Sequence, residues 1–154
     1  DIELDSLKHS KTQFNSVLSD LEDEYDIIFL DCPPGITLLS ENIFNSSDII
    51  LVPVIPTTLS VRTYLMLLQF FKKHKLDQSK IHPFFSMVEI RKSMHQDAIS
   101  NMKSNITNFL GAQIPYRSNV EKMGVYRMPL NDFEPFSPAA FAYSVLWKEV
   151  QQIN

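Results

Sequence analysis

The sequence is poor in the residues that staple, loosen or anchor a chain. One cysteine, Cys32, stands in 154 residues, so no internal disulfide can form, and a lone thiol fits a reducing compartment. Three glycines, Gly35, Gly111 and Gly124, leave little flexible punctuation, and there is no repeat, low-complexity tract or linker. No apolar run approaches the ~20 residues of a membrane span. The first residues, Asp1-Ile2-Glu3-Leu4-Asp5, are acidic and lack the basic segment and apolar run of a signal peptide. They also lack an initiator methionine, and the expectation is a piece cut from a longer polypeptide. His9, His74, His82 and His95 show no metal-ligand spacing.

What is present suits a globular protein. The hydrophobic fraction is 44%, enough for a sizeable core, and residues 1–154 are read as a single domain. The net charge of -4 argues against a wholesale nucleic-acid coat. The charge is uneven, however. Residues 1–48 hold eleven acids and two bases, whereas residues 62–103 hold eight bases and three acids. Such asymmetry marks either a surface for an anionic partner or the solvated faces of helices.

Periodicity alternates along the chain. Leu7, Phe14, Val17, Leu18 and Leu21 recur at helical spacing, which predicts an amphipathic helix over 6–24. The run Ile27-Ile28-Phe29-Leu30 is short and β-favouring and stops at Asp31 and two prolines, which predicts a strand buried on both faces of a parallel sheet. A helix is predicted over 38–45. A second run, Ile49-Ile50-Leu51-Val52, stops at Pro53. After it Thr57 or Thr58 can cap a helix whose C-terminal Lys72-Lys73-His74-Lys75 suits the helix dipole. A strand over 83–89, a helix over 94–110, a short strand over 112–115 and a closing helix over 138–153 follow. The reading is α/β: a mostly parallel sheet flanked by helices.

In open α/β sheets ligands bind outside the C-terminal ends of the strands. Asp31 at such an end is costly to desolvate unless paired. Mg²⁺ is one partner, held by one or two carboxylates and substrate phosphates; capping a turn is the other reading. At the second strand end, the hydroxyls of Thr57 and Thr58 face a ligand or simply cap the helix. Cys32 reads as packing at the turn, and Trp147 as core or helix packing rather than a base-stacking platform.

Tyr25-Asp26-Ile27-Ile28-Phe29-Leu30-Asp31-Cys32-Pro33-Pro34-Gly35 resembles the Walker B and switch II segment of ParA/MinD/Soj-type partition ATPases. Ser47-Asp48 leading into the second run, Pro56-Thr57-Thr58-Leu59-Ser60, Met87-Val88-Glu89-Ile90-Arg91, Ile114-Pro115-Tyr116-Arg117 and Pro138-Ala139-Ala140-Phe141-Ala142-Tyr143 stand in the family's order. The match runs from about residue 20 to the end. The resemblance implies a P-loop NTPase-like fold of the deviant Walker A subclass. It implies that Asp31 is the acid beside the Mg²⁺ of bound ATP. Cys32, Pro33, Pro34 and Gly35 would form switch II. Pro115 and Tyr116, and less directly Met87 to Glu89 with Met128 and Pro129, would lie near the adenine. It further implies an ATP-dependent homodimer, non-specific DNA binding, a ParB-like partner protein and a cytoplasmic, nucleoid-associated location. Arg91, Lys92, Lys103, Arg117 and Arg127 are the candidate phosphate contacts.

One part of the family's pattern is missing. No glycine of this sequence precedes a Gly-Lys-Ser/Thr triplet, so the loop whose amides cradle phosphates and whose hydroxyl binds Mg²⁺ is absent. The family places the strand carrying that loop between the strands corresponding to 27–31 and 49–53, so the fold is expected to lack its P-loop strand. The chain by itself is expected to bind no ATP or Mg²⁺ and to be inactive as an ATPase. A different class of reading is a shortened, non-catalytic interaction module. A MinD-like membrane-associated positioning ATPase is disfavoured, because the closing helix carries Lys148 as its only base.

Overall fold

The computed structural model describes residue 16, residues 18–32 and residues 38–153. The chain divides into two compact units, Asp1–Asp48 and Ile49–Asn154.

In the first unit, residues 18–22 are helical, with Leu18 buried. The helix ends in a turn where the amides of Glu24 and Tyr25 both donate to the Leu21 carbonyl at 3.0 Å. The earlier part of the expected 6–24 helix lies outside the described residues. The run 27–30 is not a strand. Ile27 is 54% and Phe29 70% exposed, which corrects the expectation of a strand buried on both faces. The physical reason is that a strand is defined by its neighbour. Backbone N–H and C=O groups need partners, and no strand among the described residues pairs with this run. Helix α1, Leu38–Ser46, follows. It buries Ser40, Asn42 and Ile43, and the amide and hydroxyl of Ser47 close its end on the Ile43 carbonyl at 2.9 and 2.7 Å.

The second unit is a parallel sheet of three strands in the order β1-β2-β3. Strand β1 is Ile50–Val54, β2 is Ile81–Val88 and β3 is Gln113–Pro115. Helix α2, Thr58–His74, and helix α3, Ser93–Asn105, make the crossovers. Helices α4, Ser118–Tyr126, α5, Leu130–Phe133, and α6, Pro138–Val150, complete the unit. Right-handed crossovers in one direction place α2 and α3 side by side on one face of the sheet. The pleat of β2 sends Phe84 and Phe85 to opposite faces. Phe85 is fully buried and stacks on Phe109 with ring centroids 4.4 Å apart. Phe84 packs instead against the cluster formed by Ala112, Ile114 of β3 and Leu146 of α6. The parallel α/β architecture predicted from the alternating periodicity is therefore present in this unit.

Three prolines sit in strands; Pro115 ends β3, and the positions of the other two explain why they are tolerated. Pro53 lies in β1, which pairs only with β2 among the described residues, and it is exposed; proline belongs on such edge strands. Pro83 lies in β2, which has partners on both sides. There β3 has not yet begun to pair, and the Pro83 carbonyl instead accepts from the Leu110 amide at 2.8 Å. Helix α3 stops at Asn105 rather than running to 110. Ile106, Phe109 and Leu110 continue the helical spacing, but Phe109 is taken by the Phe85 ring and the Leu110 amide by Pro83. Helices α4 and α5 lie in a stretch for which the sequence predicted no element.

Candidate functional site

Because all three strands are parallel, their C-terminal ends share one edge. Each end leads through a short turn into a helix, and side chains fix the turns after β1 and β2. After β1, the Ile55 amide donates to Ser60 Oγ at 3.0 Å, and the Ser60 amide donates to Thr57 Oγ1 at 3.4 Å. This is a reciprocal cap on α2 in the manner of a capping box. Thr57, not Thr58, is thus the N-cap residue.

After β2 the turn 89–92 is held from α3. His95 is buried and its Nδ1 accepts from the Glu89 amide at 3.1 Å. Gln96 Nε2 donates to the Ile90 carbonyl at 2.7 Å, and the Lys92 ammonium pairs with the Glu89 carboxylate. Sequence reading missed His95 because a lone histidine has no motif. Its place in the first turn of a helix after a strand end was the available signal.

Strand β2 also carries a bulge at this edge. Phe85 pairs with Gln113 and Val88 with Pro115, so β2 spends one more residue than β3 between the two contacts. Met87 absorbs it at φ 54°, a left-handed conformation that costs a side-chain-bearing residue about 1–2 kcal/mol. The bulge turns Val88 so that its carbonyl accepts from the Tyr116 amide at 3.0 Å, tying the ends of β2 and β3 together.

The predicted site residues separate into groups. Pro115 and Tyr116 stand on the edge, with Tyr116 exposed. Arg91 and Lys92, in the β2–α3 turn, and Arg117, the N-cap of α4, stand there too, and all three are exposed. Lys103 does not. It lies in the last turn of α3, where its ammonium donates to the Gly111 carbonyl at 3.4 Å, near the start of β3. Arg127 is the left-handed C-cap of α4 at φ 50°. Met128 and Pro129 follow it, so α4 separates them from Tyr116 by about 13 Å along its axis at 1.5 Å per residue. The five cations thus do not form one group by topology.

In the first unit, Asp31 and Cys32 are exposed; Asp31 is not the tip of a buried strand. Partial burial, and then the neighbouring Asp31 carboxylate, push the Cys32 thiol above its usual range, which disfavours the reactive thiolate. Pro33, Pro34 and Gly35 lie outside the described residues. Among the described residues no group of three His, Cys, Asp or Glu side chains could hold a metal ion. Asp31 offers a single hard oxygen donor. That fits Mg²⁺, which keeps several waters and takes one or two carboxylates plus phosphates, but it does not make a site alone.

The sequence profile of the AAA_31 family, an AAA domain, matches residues 1–87. The chain belongs to the ParA/MinD/Soj-type partition ATPase family. It is 21% identical over 161 aligned residues to the chromosome-partitioning ATPase Soj of Treponema pallidum, covering 97% of this chain and 61% of that protein. It is 24% identical over 106 residues to a ParA family protein of Mycoplasma pneumoniae, covering 68% of this chain and 39% of the relative. The crystal structure of the cell division ATPase MinD from Pyrococcus furiosus superposes with a TM-score of 0.73 at 21% identity, over 94% of this chain and 59% of that one. This likeness shows a P-loop NTPase-like fold. The chain thus spans about three-fifths of the length of Soj and MinD. No helix among the described residues is long and apolar enough to cross a membrane.

Proposed function

We propose that this chain is the C-terminal part of a ParA-family ATPase domain acting in plasmid or chromosome partitioning. The observation that carries the reading is the shared edge of the three parallel strands, together with the family's motifs in order from Tyr25 to Tyr143. In this reading residues 1–154 belong to one nucleotide-binding domain. ATP and Mg²⁺ are its cofactors when a phosphate-gripping loop is present. Asp31 holds the Mg²⁺ directly or through water, and Cys32, Pro33, Pro34 and Gly35 sense the terminal phosphate. Pro115 and Tyr116, with Met128 and Pro129, approach the adenine. The bound metal and nucleotide supply charge neutralisation and the phosphoryl group; this chain's own residues orient and sense them.

The protein would dimerise around ATP and bind DNA without sequence preference. Arg91, Lys92 and Arg117 on the sheet edge would be one set of phosphate contacts, and Lys103 and Arg127 another. Such contacts weaken steeply with salt. A ParB-like protein would stimulate hydrolysis, and the location would be cytoplasmic and on the nucleoid.

The deciding experiment measures fluorescent-ATP binding and hydrolysis with and without Mg²⁺. It compares the 154-residue chain with a polypeptide that also carries a Gly-Lys-Ser/Thr loop at its N-terminal side. The longer chain is expected to bind and hydrolyse ATP, and Asp31→Asn should remove the Mg²⁺ dependence. The short chain is expected to do neither. Hydrolysis by the short chain at a comparable rate, or full Mg²⁺-dependent activity in Asp31→Asn, would sink the assignment of Asp31.

A further inference from the structure

The turn between β2 and α3 depends on an ionisable side chain. Strand pairing of β2 ends at Val88, whose carbonyl accepts from the Tyr116 amide. The Glu89 amide lies just beyond the paired residues. Helix α3 then starts at Ser93 with Lys92 as its N-cap, a cap that makes no side-chain hydrogen bond, and its first turn contains no acid. The third helical residue is His95, 6% exposed, and its Nδ1 accepts from the Glu89 amide at 3.1 Å. Third-position side chains that reach back to a free amide are ordinarily Glu or Gln. Here an imidazole takes that place, and a proton near neutral pH can switch it off.

A neutral imidazole has one N–H and one lone pair, so Nδ1 accepts only while the proton sits on Nε2. A second proton makes both nitrogens donors and sets two N–H groups against each other across 3.1 Å. It also puts a positive charge in the first turn of α3, where the helix dipole is positive. Both effects weaken the clamp. The other ties of the turn do not respond in the same way. Gln96 Nε2 donates to the Ile90 carbonyl at any pH, and lysine and glutamate side chains ordinarily keep their charges between about pH 5 and 8. The ionisable groups around the turn are Glu89, Arg91 and Lys92 within it, Asp97 on α3, Tyr116 and Arg117 at the adjoining end of β3, and Arg62 on α2. The Glu89 carboxylate is paired with the Lys92 ammonium, and Asp97, two residues beyond His95, points to another side of α3.

We propose that His95 is a positioning residue: its neutral ring fixes the β2–α3 turn at the sheet edge, and its protonation releases that turn together with Arg91. Arg91 is exposed and follows the held Glu89 amide by two residues and the held Ile90 carbonyl by one. A guanidinium fork binds phosphate best when its backbone is already in place, so release of the turn weakens the contact. The consequence for DNA rests on the reading of Arg91 as a phosphate contact; the clamp itself does not. The sign is distinctive. A surface histidine beside phosphates tightens binding as pH falls, because it adds positive charge, whereas His95 loosens it.

The test follows the ¹⁵N-labelled 154-residue chain, His95→Asn and His95→Leu by NMR across the range in which histidine titrates, about pH 8 to 5. Asparagine offers a side-chain carbonyl that can accept from the Glu89 amide and does not titrate; leucine offers no acceptor. At the upper end the His95 ring is expected in its Nε2–H form. The exchange protection of the Glu89 amide, corrected for intrinsic rate, should fall by about tenfold toward the lower end. It should stay level in His95→Asn and be low throughout in His95→Leu. Duplex DNA binding at one fixed salt concentration is the second readout. The unchanged chain and His95→Asn should bind alike at the upper end, and the unchanged chain about threefold more weakly at the lower end. Comparing the two at each pH cancels charge changes elsewhere. Should His95→Leu fail to fold, as circular dichroism would show, the comparison with His95→Asn decides. Level protection of Glu89 in the unchanged chain, an Nδ1–H ring at the upper end, or His95→Asn titrating like the unchanged chain would overturn the proposal. Absence of DNA binding by both chains at every pH would instead count against Arg91 as a phosphate contact, while the Glu89 amide still decides the clamp.

Discussion

Two runs in this chain are nearly the same sequence and meet opposite fates. Ile27-Ile28-Phe29-Leu30 and Ile49-Ile50-Leu51-Val52 are both short, apolar and rich in β-favouring residues. The second supplies most of β1 and pairs residue for residue with β2, from Ile50 on Ile81 to Val54 on Phe85. The first forms no strand, and Phe29 within it is exposed. Composition and length do not separate them. The difference is the neighbour: β-propensity measures how well a side chain fits a pleated, half-buried surface, and only one run has that surface.

The sharpest way to test the contrast is to remove one phenylalanine from each side of it. Phe85→Ala in β2 should cost about 3–5 kcal/mol of unfolding free energy, because it empties a fully buried ring site. Phe29→Ala should change stability by no more than about 0.5 kcal/mol, as for exposed positions generally. Urea titrations compare the two. A large loss from Phe29→Ala would mean that the first run is packed in solution after all.

The next test concerns how β3 is fixed to its neighbours. A Cβ at Gly111 would sit 2.6 Å from Glu149 Oε1, and the other oxygen of that carboxylate accepts from the Ala112 amide at 3.0 Å. Gly111→Ala should therefore displace the carboxylate and cost about 1–2 kcal/mol, the range for leaving a polar partner unmade. In the Glu149→Ala background the added methyl meets no carboxylate, so the penalty should shrink. A double-mutant cycle reads this directly; additive costs would show that the two residues do not meet.

A smaller effect of opposite sign is expected at the bulge. Met87→Gly relieves the left-handed backbone and should stabilise the chain by up to about 1 kcal/mol. If β2 were regular there, the same change would destabilise it by a similar amount.

The smallest effect comes from His82 at the start of β2. Burial pushes its imidazole below the ordinary range, so the folded chain favours the neutral ring. Its contribution is fully present above the unfolded value of about 6.5 and is lost as pH falls below that value toward the folded one. Denaturation midpoints measured from pH 8 to 5 should fall with pH, and His82→Gln should flatten that fall. An unchanged slope in the variant would assign the pH dependence elsewhere.

Much of the second unit was legible from the sequence. The predicted strands over 49–52, 83–89 and 112–115 correspond to β1, β2 and β3 within a few residues, because short apolar runs bounded by turn residues are a local signal of a strand. Ser137 and Pro138 mark the start of α6 as N-cap and first helical residue, with Ser137 Oγ accepting from the Ala140 amide at 3.1 Å. The site was legible only in part. Arg91, Arg117 and Tyr116 reach the sheet edge because they directly follow strands. His95 was hidden because what it holds is a backbone amide six residues away. Lys103 stands with Arg91 among the phosphate contacts that the family resemblance offers, although a helix of thirteen residues carries it to the opposite end of the sheet.

The sequence alone determined the periodicities, the caps, the ordered family motifs and the lack of a Gly-Lys-Ser/Thr loop, since all of these are local patterns of residue type. Only the tertiary structure decided which apolar run becomes a strand, where β2 bulges, and that His95 reaches back to the Glu89 amide. Those outcomes depend on which surfaces meet. A residue's spacing along the chain says which face it lies on, but not what that face finds.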